Sequence, residues 1–322
     1  FSFPCSDNSH SVRIVGTHLE DKFIDKINFN KFHPSLLCKV PNKVKFLKYK
    51  NLSEEINKKI DLIVIAVSSK GIDWVSLELV KLLKKNIPIL ILTKGLALYK
   101  NKFEVLSEKM KRILSKRLSK KVNISVAGGP CLAKSLANRI HTFVIFANTN
   151  NKFVKKLANL VSTNYYHVFT SNDVLGVQVC AAIKNIFSMV IGSSVGLCKI
   201  NSSEEVKKKN YLNTAAGLVQ QSVVEMQTFT LRLKGKKETV LGLAGIGDLY
   251  VSATGGRNSK MGEYLGQGYL YKEAKEKFMK NITVEGAELA LEIGPKLMTK
   301  FDKRKFPLLF SILECICENK KL

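Results

Sequence analysis

The chain has 322 residues, 45% of them hydrophobic and 24% charged, which is long enough for two compact domains and apolar enough to give each a core. Disordered and fibrous chains are excluded on that balance. The charge is lopsided, 52 Lys plus Arg against 26 Asp plus Glu for a formal net charge of +26, yet only seven of the basic residues are Arg, whereas phosphate and base recognition favours the guanidinium fork. Because the lysines are spread along the whole chain, the excess reads as solvated surface and not as a nucleic-acid footprint.

Seven widely spaced cysteines without a CxxC pair, and five histidines far from them in sequence, indicate neither a disulfide framework nor a metal site. A reducing, cytoplasmic setting is therefore expected. The longest apolar stretch, residues 174–197, carries Lys184 and Asn185 in its middle, which argues against an integral membrane segment. The opening FSFPCSDNSH has no basic region followed by a long apolar one, as a secretory signal would. It reads as the continuation of a preceding segment.

In chain order, residues 12–16 (VRIVG) form a short β-rich run, and residues 61–67 (DLIVIAV) and 87–93 (IPILILT) are continuous apolar runs of strand length. Continuous apolarity is the mark of strands buried on both faces of a parallel sheet. Helical stretches are expected at 52–59, 75–85 and 102–118, and further strands at 122–127, 142–147 and 167–172. This alternation predicts a doubly wound α/β sheet over residues 1–170. From Asp173 onward the apolar spacing is helical, so residues 171–322 are expected to form an all-helical second domain, with Ser171, Asn172 and Asp173 as helix-starting residues.

Four segments could carry chemistry. Val177, Ala181, Lys184, Ser188, Ile191 and Val195 follow one helical stripe. Lys184 there either snorkels to the edge or is buried beside a partner, and burial would lower its pKa toward that of a general base. Lys94, in TKGL, directly follows an apolar strand, where ligands of parallel sheets gather, although a lysine after a strand is commonplace. The segment GLAGIGDLYVSATGGRNSK holds five glycines in 19 residues, with Asp248 among apolar neighbours. A buried carboxylate needs a cationic partner, for which Lys184 is a candidate. The following GGRN offers amides, the Arg257 guanidinium and Asn258, which suit phosphate oxygens, or else is an ordinary glycine-rich turn. Finally AGGPCLA, residues 127–133, allows close approach to main-chain amides or simply a tight strand-to-helix turn. No GxGxxG between a first strand and helix and no Walker loop occurs in the sequence.

Taken in this order, TKGL, GGP, AAIKN, GIGDL, GGRN and VEG resemble the NAD(P)-dependent glycerol-3-phosphate dehydrogenases from about residue 12 to the C-terminus. The resemblance implies a Rossmann-like domain followed by a helical substrate domain. It also implies interconversion of glycerol 3-phosphate and dihydroxyacetone phosphate by hydride transfer with NAD or NADP, supplying glycerol 3-phosphate for phospholipid synthesis. Lys184 would be the catalytic lysine, exchanging a proton with the C2 oxygen, and Asp248 would sit beside it and the substrate. Lys94 would reach substrate and cofactor, Gly129 and Cys131 the substrate, and Ala133 the cofactor. Gly256, Arg257 and Asn258 would hold the phosphate, with Arg257 also facing the cofactor, and Thr283 and Glu285 would touch the nicotinamide half. Thr17 and His18 stand where the adenosine ribose is read; neither an acid nor an arginine is present there, so the choice between NAD and NADP stays open.

The departures are Gln178 in place of Glu, Cys131 in place of Ser, and AVSS at 66–69 in place of AVPS. A thiol is the weaker hydrogen-bond donor. The family's first strand and glycine loop should precede Phe1, so about a dozen further residues are expected upstream, on the pattern of a first βα unit. The expected ligand is a small phosphorylated molecule, with no specific nucleic-acid partner. A homodimer is one open assembly. The alternatives are a dehydrogenase of another small phosphorylated or carboxylated alcohol, or a fold relative that has lost catalysis.

Overall fold

The computed structural model describes residues 1–116, 122–201 and 211–322. The chain divides into two compact units, Phe1–Thr93 with Met110–Asn172, and Lys94–Lys109 with Asp173–Leu322.

The first unit alternates short helices and strands: α1 (Ser2–Asp7), β1 (Val12–Val15), α2 (Asp21–Asn30), β2 (Phe32–His33), β3 (Cys38–Lys39), β4 (Val44–Leu47), α3 (Leu52–Asn57), β5 (Ile63–Ile65), α4 (Gly71–Leu82) and β6 (Ile89–Ile91). After an arm, β7 (Leu96–Tyr99) and β8 (Lys102–Val105), the order continues with α5 (Leu106–Leu114), β9 (Ile124–Gly128), α6 (Ala133–Ala137), β10 (Thr142–Ala147), α7 (Asn151–Val161) and β11 (Tyr166–Ser171). The main sheet has the order β11-β10-β9-β6-β5. β5, β6 and β9 are parallel, and Ile89, Leu90 and Ile91 of β6 are fully buried, as their unbroken apolarity predicts. β10 runs antiparallel to β9 and parallel to β11, so the sheet is mixed at that end. Leu90, Val144, Phe146, Val154, Leu157 and Tyr166 close one core on this sheet. β1 pairs in parallel with β4 in a separate two-stranded sheet.

The arm departs from the sequence reading. A helix is expected over 102–118, but residues 96–105 form an antiparallel hairpin and helix begins only at Leu106. Lys100 and Asn101 at its tip both have left-handed φ, 44° and 67°, the conformation that a two-residue hairpin turn needs and that asparagine tolerates. The chain therefore does not split once at residue 170: residues 94–109 group with the helical unit. The end of the expected helix, Arg117 and Leu118, lies outside the described residues.

The second unit is otherwise helical: α8 (Val174–Asn201), α9 (Leu212–Arg232), α10 (Lys237–Val240), a π turn at Leu243–Gly247, α11 (Asp248–Ala253), α12 (Arg257–Gly266), α13 (Tyr271–Phe278), α14 (Glu285–Lys300) and α15 (Pro307–Cys317). Asp173 starts α8 as expected, one carboxylate oxygen accepting from Gly176 N at 2.9 Å and the other from Lys236 N at 2.8 Å and Thr239 Oγ1 at 2.6 Å. By length and composition, Val174–Ile200 could cross a membrane, contrary to the reading from sequence, but 89% of its most apolar window is buried inside the fold. It is the central helix of this unit.

α12 lies against α8 almost backbone to backbone. A Cβ at Gly262 would stand 1.9 Å from the Met189 carbonyl oxygen, one at Gly266 2.1 Å from that of Ser193, and one on α8 at Gly192 2.2 Å from that of Ser259. These glycines therefore set the helix separation that brings the start of α12 to the middle of α8. Gly262→Ala is expected to force the helices apart at a cost of about 3 kcal/mol. A urea midpoint equal to that of the wild type would show that the crossing is not so constrained.

Candidate active site

The helical unit gathers three groups that are distant in sequence. Lys184 lies on α8 at 6% exposure, and Asp248, the first residue of α11, at 2%. Lys184 Nζ donates to Asp248 Oδ1 at 2.9 Å, and Lys94 Nζ donates to Oδ2 at 2.5 Å. One buried carboxylate is thus held between two ammonium groups. Lys184 Nζ also donates to Ser252 Oγ, one turn further along α11.

Burial pushes the Lys184 pKa below the usual lysine value, with the nearby Lys94 charge as the second cause, and the opposing pull of Asp248 and Glu285 does not cancel them. Lys184 is thus buried beside a partner and does not snorkel. The stripe reading from sequence left both options open.

Asp248 arrives here because GLAGIG packs its backbone closely. A Cβ on Gly245 would stand 2.0 Å from the Val240 carbonyl oxygen, so the π turn leads directly into α11. The GGRN segment is different: Gly255 has nothing within 4 Å of where its Cβ would be, and Gly256 only Ser252 O at 3.6 Å. Nothing in the described fold fills the space above these glycines, where α12 begins. The first amides of α12 and the exposed Arg257 side chain follow these glycines directly, a combination that attracts anions. Arg257 is paired with Glu285, and both side chains remain about half exposed, so the pair is weak and exchangeable.

Asn258 is buried, with Nδ2 donating to Asn185 Oδ1 at 3.1 Å and Oδ1 accepting from Gly286 N at 2.8 Å. Its side-chain amide serves the fold, Nδ2 tying α12 to α8 and Oδ1 tying it to the start of α14. A Cβ on Gly286 would stand 2.4 Å from the Asn185 carbonyl oxygen, which explains the glycine of VEG. Thr283 is exposed just before α14. Ser252 and Asn185 were not singled out from sequence. Asn185 follows Lys184 directly, and Ser252 stands i+4 from Asp248, the one spacing that could have marked it.

The remaining candidates belong to the first unit. Gly129, just after β9, has φ +101°, and a Cβ there would meet Val144 Cα at 3.2 Å, so glycine is required. Cys131 is exposed two residues on. Ala133, Ala137, Val15, Gly16 and Glu20 line a cleft of 270 Å³ at the carboxyl end of β1, where open α/β sheets hold their ligands. Thr17 N donates to Glu20 Oε2 at 2.7 Å, which fixes the turn into α2. The His18 ring packs edge-on against Tyr49 and Trp74. The cleft is somewhat smaller than the ~300–1,000 Å³ of a site that swallows a whole small ligand. No residue of this chain is assigned to the pyrophosphate, because the sequence contains no glycine loop of the required pattern.

An α/β unit with a cleft at its strand ends, joined to a helical unit carrying a buried lysine–carboxylate pair, defines a dinucleotide-dependent dehydrogenase class. Residues 1–154 match the family model described as the NAD-dependent glycerol-3-phosphate dehydrogenase N-terminus, and residues 173–322 the model of its C-terminus. A relative from Archaeoglobus fulgidus, the NADP(+)-dependent glycerol-3-phosphate dehydrogenase, is 30% identical over 302 residues, covering 92% of this chain and 86% of its own. The glycerol-3-phosphate dehydrogenase [NAD(P)+] of Shouchella clausii is 28% identical over 315 residues, 96% of this chain and 86% of its own. Among solved structures, glycerol-3-phosphate dehydrogenase from Coxiella burnetii superposes with a TM-score of 0.80 at 25% identity, covering 99% of this chain and 90% of its own. The chain belongs to the NAD-dependent glycerol-3-phosphate dehydrogenase family.

Proposed function

We propose that the protein reduces dihydroxyacetone phosphate to glycerol 3-phosphate, and catalyses the reverse, with NADH or NADPH as hydride donor. The observation that carries this reading is the Lys94–Asp248–Lys184 cluster, with the open, arginine-bearing start of α12 in the same unit. A bound nicotinamide supplies or takes the hydride. Lys184 Nζ gives a proton to the C2 oxygen in reduction and removes it in oxidation. Asp248 holds the Lys184 ammonium, and the Ser252 hydroxyl accepts a second hydrogen bond from it, so one N–H remains to point at substrate. Arg257 and the first amides of α12 take the phosphate, an assignment that requires the Glu285 pairing to be exchanged for the substrate anion. From the first unit, the family resemblance assigns Gly129 and Cys131 to substrate, and Thr17, His18 and Ala133 to cofactor. A cytoplasmic location, a role in phospholipid precursor supply and a homodimeric assembly accompany this reading.

The test is reduction of dihydroxyacetone phosphate by the full-length chain with each cofactor, against dihydroxyacetone and small 2-oxo acids. Equal rates with and without the phosphate would remove the reading. Arg257→Ala is expected to raise KM for the phosphorylated ketone about tenfold or more, the loss of a charge-assisted hydrogen-bonded contact, with a smaller change in kcat.

The proton-transfer role of Lys184 fixes the sign of the pH dependence, and its lowered pKa brings the transition below the usual lysine range. Reduction needs the ammonium, so its rate falls as pH rises through that pKa, whereas oxidation needs the free amine and its rate rises. Lys94→Met removes a positive neighbour, so the midpoint of both limbs should move to higher pH. A midpoint that moves down would contradict the assignment of Lys184.

A further inference from the structure

We propose that Gln178 and Ser107 form a clamp that positions Lys94 against Asp248. The proposal rests on the reductase reading above and adds a residue pair to it.

Lys94 is not on the helices that carry Asp248 and Lys184. It stands at the root of the 94–109 arm, two residues before the hairpin pair Leu96↔Val105. Ser107 stands two residues after the same pair, in the first turn of α5 that continues the returning strand. The two residues therefore flank the open end of one hairpin, and whatever fixes Ser107 limits how far Lys94 can move.

The far end of the arm is anchored. Lys300 Nζ donates to Asn101 O at 2.7 Å, and the Phe103 ring stacks on Phe301 at 5.8 Å. At the root, the Gln178 side chain from α8 is bonded to Ser107 twice: Oε1 accepts from Ser107 N at 3.0 Å, and Nε2 donates to Ser107 Oγ at 2.6 Å. Gln178 and Ser107 are 5% and 6% exposed, so water cannot readily substitute for these bonds. Ser107 N is one of the first amides of α5, which have no partner within their own helix. Gln178 is thus a helix cap supplied from another element. It lies less than two turns before Lys184 on α8, so a single helix holds Lys184 directly and Lys94 through the arm. The two ammonium groups repel each other across the one carboxylate, so a fixed support for Lys94 favours its placement on Oδ2.

The experiment uses the full-length enzyme and Gln178→Met, which keeps the volume and removes both hydrogen bonds. The expected result is a fall of about tenfold to hundredfold in kcat/KM for dihydroxyacetone phosphate, the scale of a small misplacement of a catalytic group. Gln178→Glu, which can accept from both Ser107 N–H and Oγ–H, should restore most of the loss. In a Lys94→Met background the same Gln178→Met change should cost less than about twofold, because its effect runs through Lys94. Amides of residues 96–105 should exchange about tenfold faster or more in Gln178→Met, with exchange in α8 unchanged. Ser107→Ala is the second variant, should Gln178→Met not fold, with the same direction on both readouts.

Undiminished kcat/KM in Gln178→Met, or an equal loss with and without Lys94, would overturn the clamp. So would unchanged exchange of the arm. A wild-type enzyme without reductase activity would overturn the functional reading instead, and the exchange data would then decide the clamp alone.

Discussion

Lys184→Ala is expected to lower turnover of dihydroxyacetone phosphate by about three orders of magnitude, within the range contributed by a positioned general acid or base. Two features make the loss specific to chemistry. The ammonium is the buried partner of Asp248 Oδ1, while Lys94 is bound to Oδ2. Removing it also removes a charge whose burial is itself unfavourable, while Asp248 retains Lys94 as counter-charge. The variant should therefore fold, with a thermal midpoint near that of the wild type and intact binding of substrate phosphate at α12. Turnover within about tenfold of wild type would place the proton transfer elsewhere.

Asp248→Asn should damage both stability and catalysis. It leaves the Lys184 and Lys94 ammonium groups facing a neutral amide, and breaking a buried pair from one side costs roughly 3–5 kcal/mol. The lower end applies, about 3 kcal/mol, because the Lys94 side chain is 29% exposed and can turn toward water. The pH dependence has a definite sign. With Asp248 neutralised, the charge that raises the Lys184 pKa is gone, so its folded-state value falls further below the unfolded one. The folded state then binds fewer protons than the unfolded state between those two values, and stability rises with pH across that window. Urea denaturation of the variant at several pH values from neutral upward checks this, and a variant that loses stability as pH rises there would refute the coupling. Turnover should fall at least as far as in a variant with a misplaced general acid, about a hundredfold.

Much of the fold was legible because the physical cause was local. The apolar runs at 87–93 and 142–147 could be satisfied only by burial, and they became β6 and β10. Asp173 was readable as a cap because its side chain bonds the backbone three residues on. The hairpin of the arm was not legible: KFEVLSEKMKRIL carries strong helix formers, and the turn depends on two consecutive left-handed residues at Lys100 and Asn101. β4 was missed for a related reason. Its lysine-interrupted VKFL is short and becomes a strand only by pairing with β1.

The candidate site divides along the same line. The residue types and their order along the chain, with Lys184 inside an apolar stripe and Asp248 among glycines, are properties of the sequence alone, because helical spacing and backbone crowding act over a few residues. That both meet, and that Lys94 joins them, was decided by tertiary structure. Lys184 and Asp248 are 64 residues apart, and Lys94 and Asp248 are 154. Their meeting depends on the close packing at Gly245 that leads into α11 and on an arm that groups with the helical unit. Contacts of that range carry no local signature, since each segment is equally content beside any partner of matching shape and charge. The +26 is the reverse case: the sequence states the number, and only the fold shows which two ammonium groups share one buried carboxylate.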